Sequence, residues 1–452
     1  MQTINSSYQQ FVFKSYSFDQ ATGQAEFVYR LDDVEFVERV KFPIDSTTSG
    51  LHDSTTLDNA LFALHLIGGI SYYKAGLAKE IIVESGSLSE EDAKFWNKLY
   101  TLGLGEFFYR NDLDFRDYIN FPFVTNPADQ FANPMTTLDV VILSGALLPI
   151  GGGKDSLVTV EMLKRVGLDF DLLVLGDHAR INDVIRAVDV NALRIERVID
   201  PKLFDLNKQG AWNGHVPISA YIAFASVVVA VLQGKRDIVL SNERSANVGN
   251  VKVGDVEINH QYSKSLEFER DLQHYISDRI SKEIRYFSLL RPLSELSITK
   301  RFAEIGKYFE VFSSCNKNFK QSGEASEHRW CGDCAKCAFV FAMMAAWIPK
   351  VELERIFGAI FFDYENLLET YRDLLGCGVG KPFDCVGEPD EVIVALELAR
   401  RRGELDEMAV MKWFVQDILP TQTDLEAKIE AVLKLSADHS MPEEYAKIVY
   451  EN

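Results

Sequence analysis

The stretch Leu148–Leu163, LPIGGGKDSLVTVEML, passes from an apolar run into an amphipathic helix through Gly151, Gly152 and Gly153. Consecutive glycines ahead of a helix let backbone N–H groups turn inward as a nest, and the helix N-terminus adds partial positive charge, so the spacing predicts an anion there. A plain tight turn before a helix is the competing reading. The pattern GxxxxGK[ST] does not fit, because Lys154 is followed by Asp155, and GxGxxG lacks its third spaced glycine. Apolar runs at Asp171–Asp177 (DLLVLGD) and Arg236–Glu243 (RDIVLSNE) alternate with helical stretches at Ser156–Val166 and Ile218–Gln233. That alternation predicts a parallel α/β sheet with the glycine loop at its first strand-to-helix turn.

Outward from this core, residues 11–42 are rich in Phe, Val and Tyr, partly alternate, and contain the turn DQATGQ, so they read as antiparallel strands. Thr56–Ala75 has helical spacing, and the helix after it opens on SLSEED with a Ser87–Glu90 capping pattern. Beyond Trp347 the chain reads as charged and helical, most clearly at DEVIVALELARRRGELDEMAVMKWF. The expected organisation is an N-terminal α+β domain (1–135), a parallel-sheet domain carrying the loop (136–350) and a helical C-terminal region (351–452).

The chain has 452 residues, 47% of them hydrophobic, and can bury a large core. A formal charge of −20 disfavours nonspecific capture of nucleic acid or of an anionic membrane surface. No apolar stretch reaches the roughly 18 residues of a membrane span, and MQTINSSYQQF does not read as a signal peptide. A cytoplasmic protein with neither membrane nor nucleic-acid partner is the expectation.

Of six cysteines, Cys331, Cys334 and Cys337 have CxxCxxC spacing, with Cys315 upstream. Such crowding in a long chain favours metal ligation over disulfides, and four thiolates suit a closed structural zinc site. His328 competes with Cys315 as fourth ligand; an iron–sulfur cluster and packed free thiols are the alternatives. His65 reads as a core histidine on the apolar face of ALHLI.

Four polar islands stand out: WNGHVP (212–217), SNERSANVGN (241–250), NHQYSKSLEFER (259–270) and LLRPLSEL (289–296). The second follows a predicted parallel strand, where α/β sheets place ligands, although turns and charged helices would also account for these runs.

GGGKDS resembles the SGGxDS loop of the PP-loop ATP pyrophosphatase superfamily, with Gly151 in place of the first serine. The resemblance implies an adenine nucleotide α-hydrolase-like core that cleaves ATP between its α and β phosphates and passes AMP to the substrate. Amides of Gly152, Gly153 and Ser156 would hold the pyrophosphate and Lys154 would neutralise charge, with Asp155 orienting Mg²⁺ or capping the helix. An S-C-N then C-G-x-C-x-x-C arrangement also follows the loop domain in the PP-loop enzymes that make 7-cyano-7-deazaguanine. A synthase or amidotransferase adenylating a nucleobase is therefore the alternative function.

In order, ALHLIGGISYYKA, LGLGEFFYRN, PIGGGKDSLV, WNGHVPISA, VLSNERSANVGNV, EINHQYSKSLEFE, YFSLLRPLSEL and RWCGDCAKCAFVF resemble the UDP-N-acetyl-muramoyl-L-alanyl-L-glutamate epimerase family over residues 10–350. The resemblance implies ATP- and Mg²⁺-dependent inversion of the terminal glutamate of a nucleotide-linked muramoyl dipeptide, in peptidoglycan precursor synthesis, beside an L-glutamate-adding ligase. On that reading His215, His260, Tyr262 and Lys264 are candidates for proton transfer, and Glu243 for Mg²⁺ or base. Arg244, Arg291, Asn213 and Asn242 are candidates to bind the substrate's oxyanions.

Overall fold

The computed structural model describes residues 1–44, 54–125, 143–319, 328–378 and 381–451. Nine strands form one mixed sheet. Its parallel half runs Arg285–Ser288, Asp237–Leu240, Ala146–Pro149, Phe170–Leu175, Ala192–Val198. By chain order the first of these strands is Ala146–Pro149, and the two that follow extend the sheet to one side. The last two return to its other side, which makes a topological switch point between Ala146–Pro149 and Asp237–Leu240. In sheets of this kind the crevice beyond the strands' carboxyl ends at that point is where ligands bind.

The N-terminal strands Gln10–Asp19, Gln24–Leu31 and Val34–Lys41 form the expected antiparallel meander. The meander continues the same sheet, because Arg39–Lys41 pairs antiparallel with Glu196–Val198. The expected boundary at 135–136 lies outside the described residues.

Alternation along the parallel strands sends side chains to two cores. Leu148, Leu172, Val174, Val239 and Phe287 pack on one face with the C-terminal helices, while Leu147, Leu173, Ile195 and Ile238 pack on the other with Ser54–Gly68 and Ile218–Gln233. Burial on both faces explains why Ile218–Gln233 is apolar all round rather than amphipathic.

Two local expectations are corrected. The helix expected over Thr56–Ala75 is two helices, Ser54–Gly68 and Ile70–Gly76. At the break a Cβ on Gly69 would lie 2.3 Å from the Phe13 ring, and one on Gly68 2.5 Å from Tyr29 Oη, so the glycines let the helices touch the meander. The next helix, Glu90–Gly103, is capped by Ser89 with Asp92 rather than by Ser87 with Glu90. SLSEED holds the Ser-x-x-acid spacing twice, and the second copy meets the helix start. His65 does sit in the core, its Nε2 3.3 Å from Val28 O, and burial pushes its pKa down to about 3.

Candidate active site

Pro149 ends its strand, and the helix Lys154–Arg165 begins at the N-cap Gly153. Gly152 turns the chain at φ +87°, a conformation that favours glycine. Gly151 is different: a Cβ there would meet nothing within 4 Å, so the serine of the SGGxDS pattern would fit. Its replacement removes a hydroxyl without relieving a clash. Ser156 Oγ donates to Gly153 O at 3.1 Å, and Ser313 N donates to Gly152 O at 3.1 Å, which fixes the loop.

The loop forms one wall of a cavity of about 540 Å³ at the switch point. Gly151, Gly153, Asp155 and Ser156 line it together with Ser241, Asn242, Lys264, Asn316, Lys336 and Cys385. Apolar side chains including Leu173, Leu175, Ile195, Ile218 and Ile222 line its other side.

Lys154, expected at the phosphates, lies beneath the loop, 1% exposed and bonded to both Asp155 and Glu295. Lys336 reaches the same Glu295 at 3.6 Å. Burial opposes ionisation of Glu295, but Lys154 and Lys336 hold its carboxyl below the usual range. Glu243 is buried too, and burial, then Glu295 and Asp155, push its pKa up. Glu391 is shifted the same way, its pKa raised to about 8 by burial and by the Glu295 charge.

A second cluster stands beside the cavity. Glu106 Oε2 lies 2.5 Å from His260 Nδ1 and 3.3 Å from His215 Nδ1, and Arg110 Nε donates to Glu106 Oε1 at 2.6 Å. Burial and the His260 charge push His215 down to about 4. His260 is pushed the other way: burial opposes its proton, but hydrogen bonds to Cys385 and Glu106 raise it to about 9. These three side chains could together hold a metal ion, and the Glu106 carboxylate shared by two imidazoles equally suits them to proton handling. Cys385 receives a hydrogen bond from Lys264 Nζ at 3.1 Å. Burial disfavours its thiolate, but Lys264, His260 and Lys336 outweigh burial and bring the thiol down to about 5.

The remaining expected site residues separate. Asn242 lines the cavity, and Asn213 Oδ1 accepts from Lys74 Nζ at 3.0 Å. Tyr262 is buried beside a different hollow, and burial raises its hydroxyl well above the ordinary value. Arg291, expected at a substrate oxyanion, is wholly buried: it pairs with Glu269 at 2.8 Å and donates to the carbonyls of Glu243 and Lys264. Its fork of donors is used to brace the two islands that carry those residues. Arg244 donates to the carbonyls of Lys434 and Val432 and ties the site to the C-terminal region.

The sulfurs of Cys315, Cys331, Cys334 and Cys337 lie within 4.8 Å of one another, with Cys331 and Cys337 3.6 Å apart. A tetrahedral zinc with bonds of about 2.3 Å requires sulfurs about 3.8 Å apart, so this set fits the ion. Cys315, not the exposed His328, is brought to the other three. The cluster also builds the cavity, since Asn316 follows Cys315 and Lys336 precedes Cys337.

Sequence reasoning missed Glu106, Glu295, Lys336 and Cys385. Glu106 was visible inside LGLGEFFYRN, but Cys385 lies more than a hundred residues from Lys264 and no spacing connects them.

Comparison with known proteins identifies the family. Residues 2–289 match the MurL N-terminal domain and residues 311–429 the MurL C-terminal domain. A protein of Xanthomonas oryzae pv. oryzae (strain MAFF 311018), named UDP-N-acetyl-alpha-D-muramoyl-L-alanyl-L-glutamate epimerase, is 40% identical over 433 residues, covering 96% of this chain and 95% of the relative. A protein of the same name from Micromonospora sp. (strain ATCC 39149 / NRRL 15099 / SCC 1413) is 38% identical over 441 residues, covering 97% of each. With both domain families matched and full-length relatives at this identity, the chain belongs to the MurL family of epimerases.

Proposed function

We propose that the chain inverts the terminal L-glutamate of UDP-N-acetylmuramoyl-L-alanyl-L-glutamate to D-glutamate, using ATP to activate the carboxyl group as an acyl-adenylate. The carrying observation is that one cavity at the switch point is walled both by the glycine loop and by the Lys264–Cys385 pair. A phosphate nest and proton-handling groups thus meet in one place.

The chemistry explains why inversion would consume ATP. Removing a proton next to a free carboxylate builds a second negative charge on an anionic group. Adenylation masks that charge, so the pair left on the α-carbon can delocalise as an enolate. Amides at Gly153 and Ser156 and the helix N-terminus would hold the departing pyrophosphate. Lys154 acts from below, by fixing Asp155 and Glu295 instead of touching phosphate. Asp155 lines the cavity and its charge reaches the buried Glu243, and carboxylates of this kind are what a divalent cation takes as ligands. Mg²⁺ bound there would neutralise phosphate charge as ATP is cleaved. The four cysteines would hold a structural Zn²⁺ with no open position for chemistry.

This is a reaction of peptidoglycan precursor synthesis, placed in the cytoplasm by its nucleotide-linked substrate and its use of ATP, and it consumes the product of a ligase that adds L-glutamate. Among the described residues no helix is long and apolar enough to cross a membrane.

The test is release of AMP and pyrophosphate from ATP in the presence of the dipeptide substrate. Wild-type protein should release both only when the substrate is present. Asp155→Ala and Ser156→Ala should fold normally but lower the rate about 10²-fold or more. Wild-type rates in both variants would remove the loop from the reaction.

A further inference from the structure

We infer that Cys385, carried into the cleft by the C-terminal region, is the group that contacts the substrate's α-proton on one face. The assignment rests on the inversion chemistry proposed above and names the atom that performs it.

Three observations carry it. Cys385 and Lys264 line the cavity, whereas His215 and His260 are not among its lining residues. The histidines therefore act on the cavity through what stands in front of them. His260 lies close enough to Cys385 to favour its thiolate and is held in turn by Glu106, so a relay of thiol, imidazole and carboxylate starts at the cavity wall.

The second observation is charge. Lys264 Nζ lies 3.1 Å from Cys385 Sγ, Lys336 Nζ is bonded to the carbonyl of the same residue, and His260 also favours the thiolate. Cations around a thiol favour its thiolate, which is the basic and nucleophilic form.

The third is that the segment bearing the thiol is held in place from several elements. Phe383 packs under Arg110 at 4.9 Å and against Tyr109 at 5.4 Å. Asn250 Nδ2 donates to Pro382 O at 2.7 Å, Asn316 bonds the Asp384 carboxylate, and Lys336 Nζ donates to Cys385 O. A packing cysteine needs no such set of anchors. A base that must meet one carbon atom does.

The step balances. The Cα–H bond breaks, an S–H bond forms, and the electron pair enters the enolate of the activated carboxyl group. A solvent-exchanging acid delivers a proton to the opposite face, and the thiol returns its proton to solvent, so no net proton is gained or lost. Water then cleaves the acyl-adenylate, releasing AMP and the free D-glutamyl carboxylate.

The experiment uses full-length wild-type, Cys385→Ala and Cys385→Ser proteins with the UDP-linked dipeptide, ATP and Mg²⁺ in D₂O. Adenylate is trapped with hydroxylamine as the hydroxamate, and α-deuterium is read by mass spectrometry. Both variants should still give hydroxamate, while α-deuteration and inversion fall by about 10²- to 10⁴-fold. The serine variant keeps the shape of the side chain and is decisive if the alanine variant is unstable. Deuteration at the wild-type rate in either folded variant would overturn the assignment, as would loss of hydroxamate together with deuteration. If wild-type protein inverts without forming hydroxamate, activation by ATP is wrong, while the deuteration comparison still decides Cys385.

Discussion

Between His260 and Cys385 the site holds two groups whose proton affinities are moved in opposite directions, to about 9 and to about 5. His260 faces Glu106, His215, Asp384 and Cys385; Cys385 faces Lys264, Lys336, Asp384 and Lys381. Between those limits the imidazolium and the thiolate coexist, and inversion should be fastest there. Below about pH 5 the thiolate takes a proton and loses its basicity, so the rate falls as pH drops. Above about pH 9 His260 loses its proton and the thiolate loses a hydrogen bond, so the rate falls again. Glu106→Gln removes the carboxylate that helps hold the His260 proton, and a pH–rate profile should show the upper limb moved to lower pH with the lower limb little changed. An unmoved upper limb would dissociate Glu106 from His260 function. At this scale the glycine loop and the cysteine cluster were legible, because each is a dense local pattern, whereas His215 and His260 stood only as separate candidates and their meeting at Glu106 was hidden. Cys385 was hidden too, since a thiol's environment comes from residues distant in sequence, and Arg291 misled because an arginine in a polar island reads alike whether it faces ligand or bridges backbone carbonyls inside the protein.

Among the elements, the cysteine cluster has two roles that can be separated by mutation. Its helix Ala335–Ala345 is capped by Cys334, which accepts from Cys337 N, so a bound ion would fix the helix start and with it Lys336. Cys334→Ser should release zinc, measured by elemental analysis, and lower stability by several kcal/mol in thermal melting, because structural metal binding is part of folding. A wild-type protein without zinc or iron would refute the site. Gly151→Ser tests the loop from the other direction: with open space at that Cβ, melting should stay within about 0.5 kcal/mol of wild type. A larger loss would show that the loop packs more tightly than its geometry implies. The long apolar run Ile218–Gln233, bounded by Pro217 and Gly234, was readable to the residue. Strands such as Ala192–Val198 were hidden, because Arg194 and Glu196 break its apolar pattern toward solvent and Arg197 is a charge that pairs with Glu38 inside the protein.

For the whole molecule, the meander and the parallel half are joined by backbone pairing and by a buried ion pair. Arg197 Nη2 meets Glu38 Oε2 at 2.9 Å, Tyr72 and Tyr221 hydroxyls donate to the same carboxylate, and the guanidinium lies 3.7 Å from the Tyr221 ring centroid. Arg197→Met leaves Glu38 buried without its cation and should cost about 3–5 kcal/mol in denaturant unfolding. The loss should appear in one transition if the sheet unfolds as a unit; a separate early transition of the meander would show that the junction does not couple the halves. The C-terminal region closes on the same body, with Tyr445 and Arg285 both bonded to Asp237 at the sheet edge. Its sequence showed that it was helical, but not that it delivers a thiol to the cleft. The central claim is that nucleotide activation and α-proton transfer share this one cavity. The most direct measurement is to incubate the protein with UDP-N-acetylmuramoyl-L-alanyl-L-glutamate and Mg²⁺ in D₂O, with and without ATP, following pyrophosphate and the stereochemistry and deuterium content of the glutamate. With ATP, D-glutamyl product carrying α-deuterium should accumulate with AMP and pyrophosphate, and without ATP neither inversion nor exchange should occur; inversion in the absence of ATP would contradict the account.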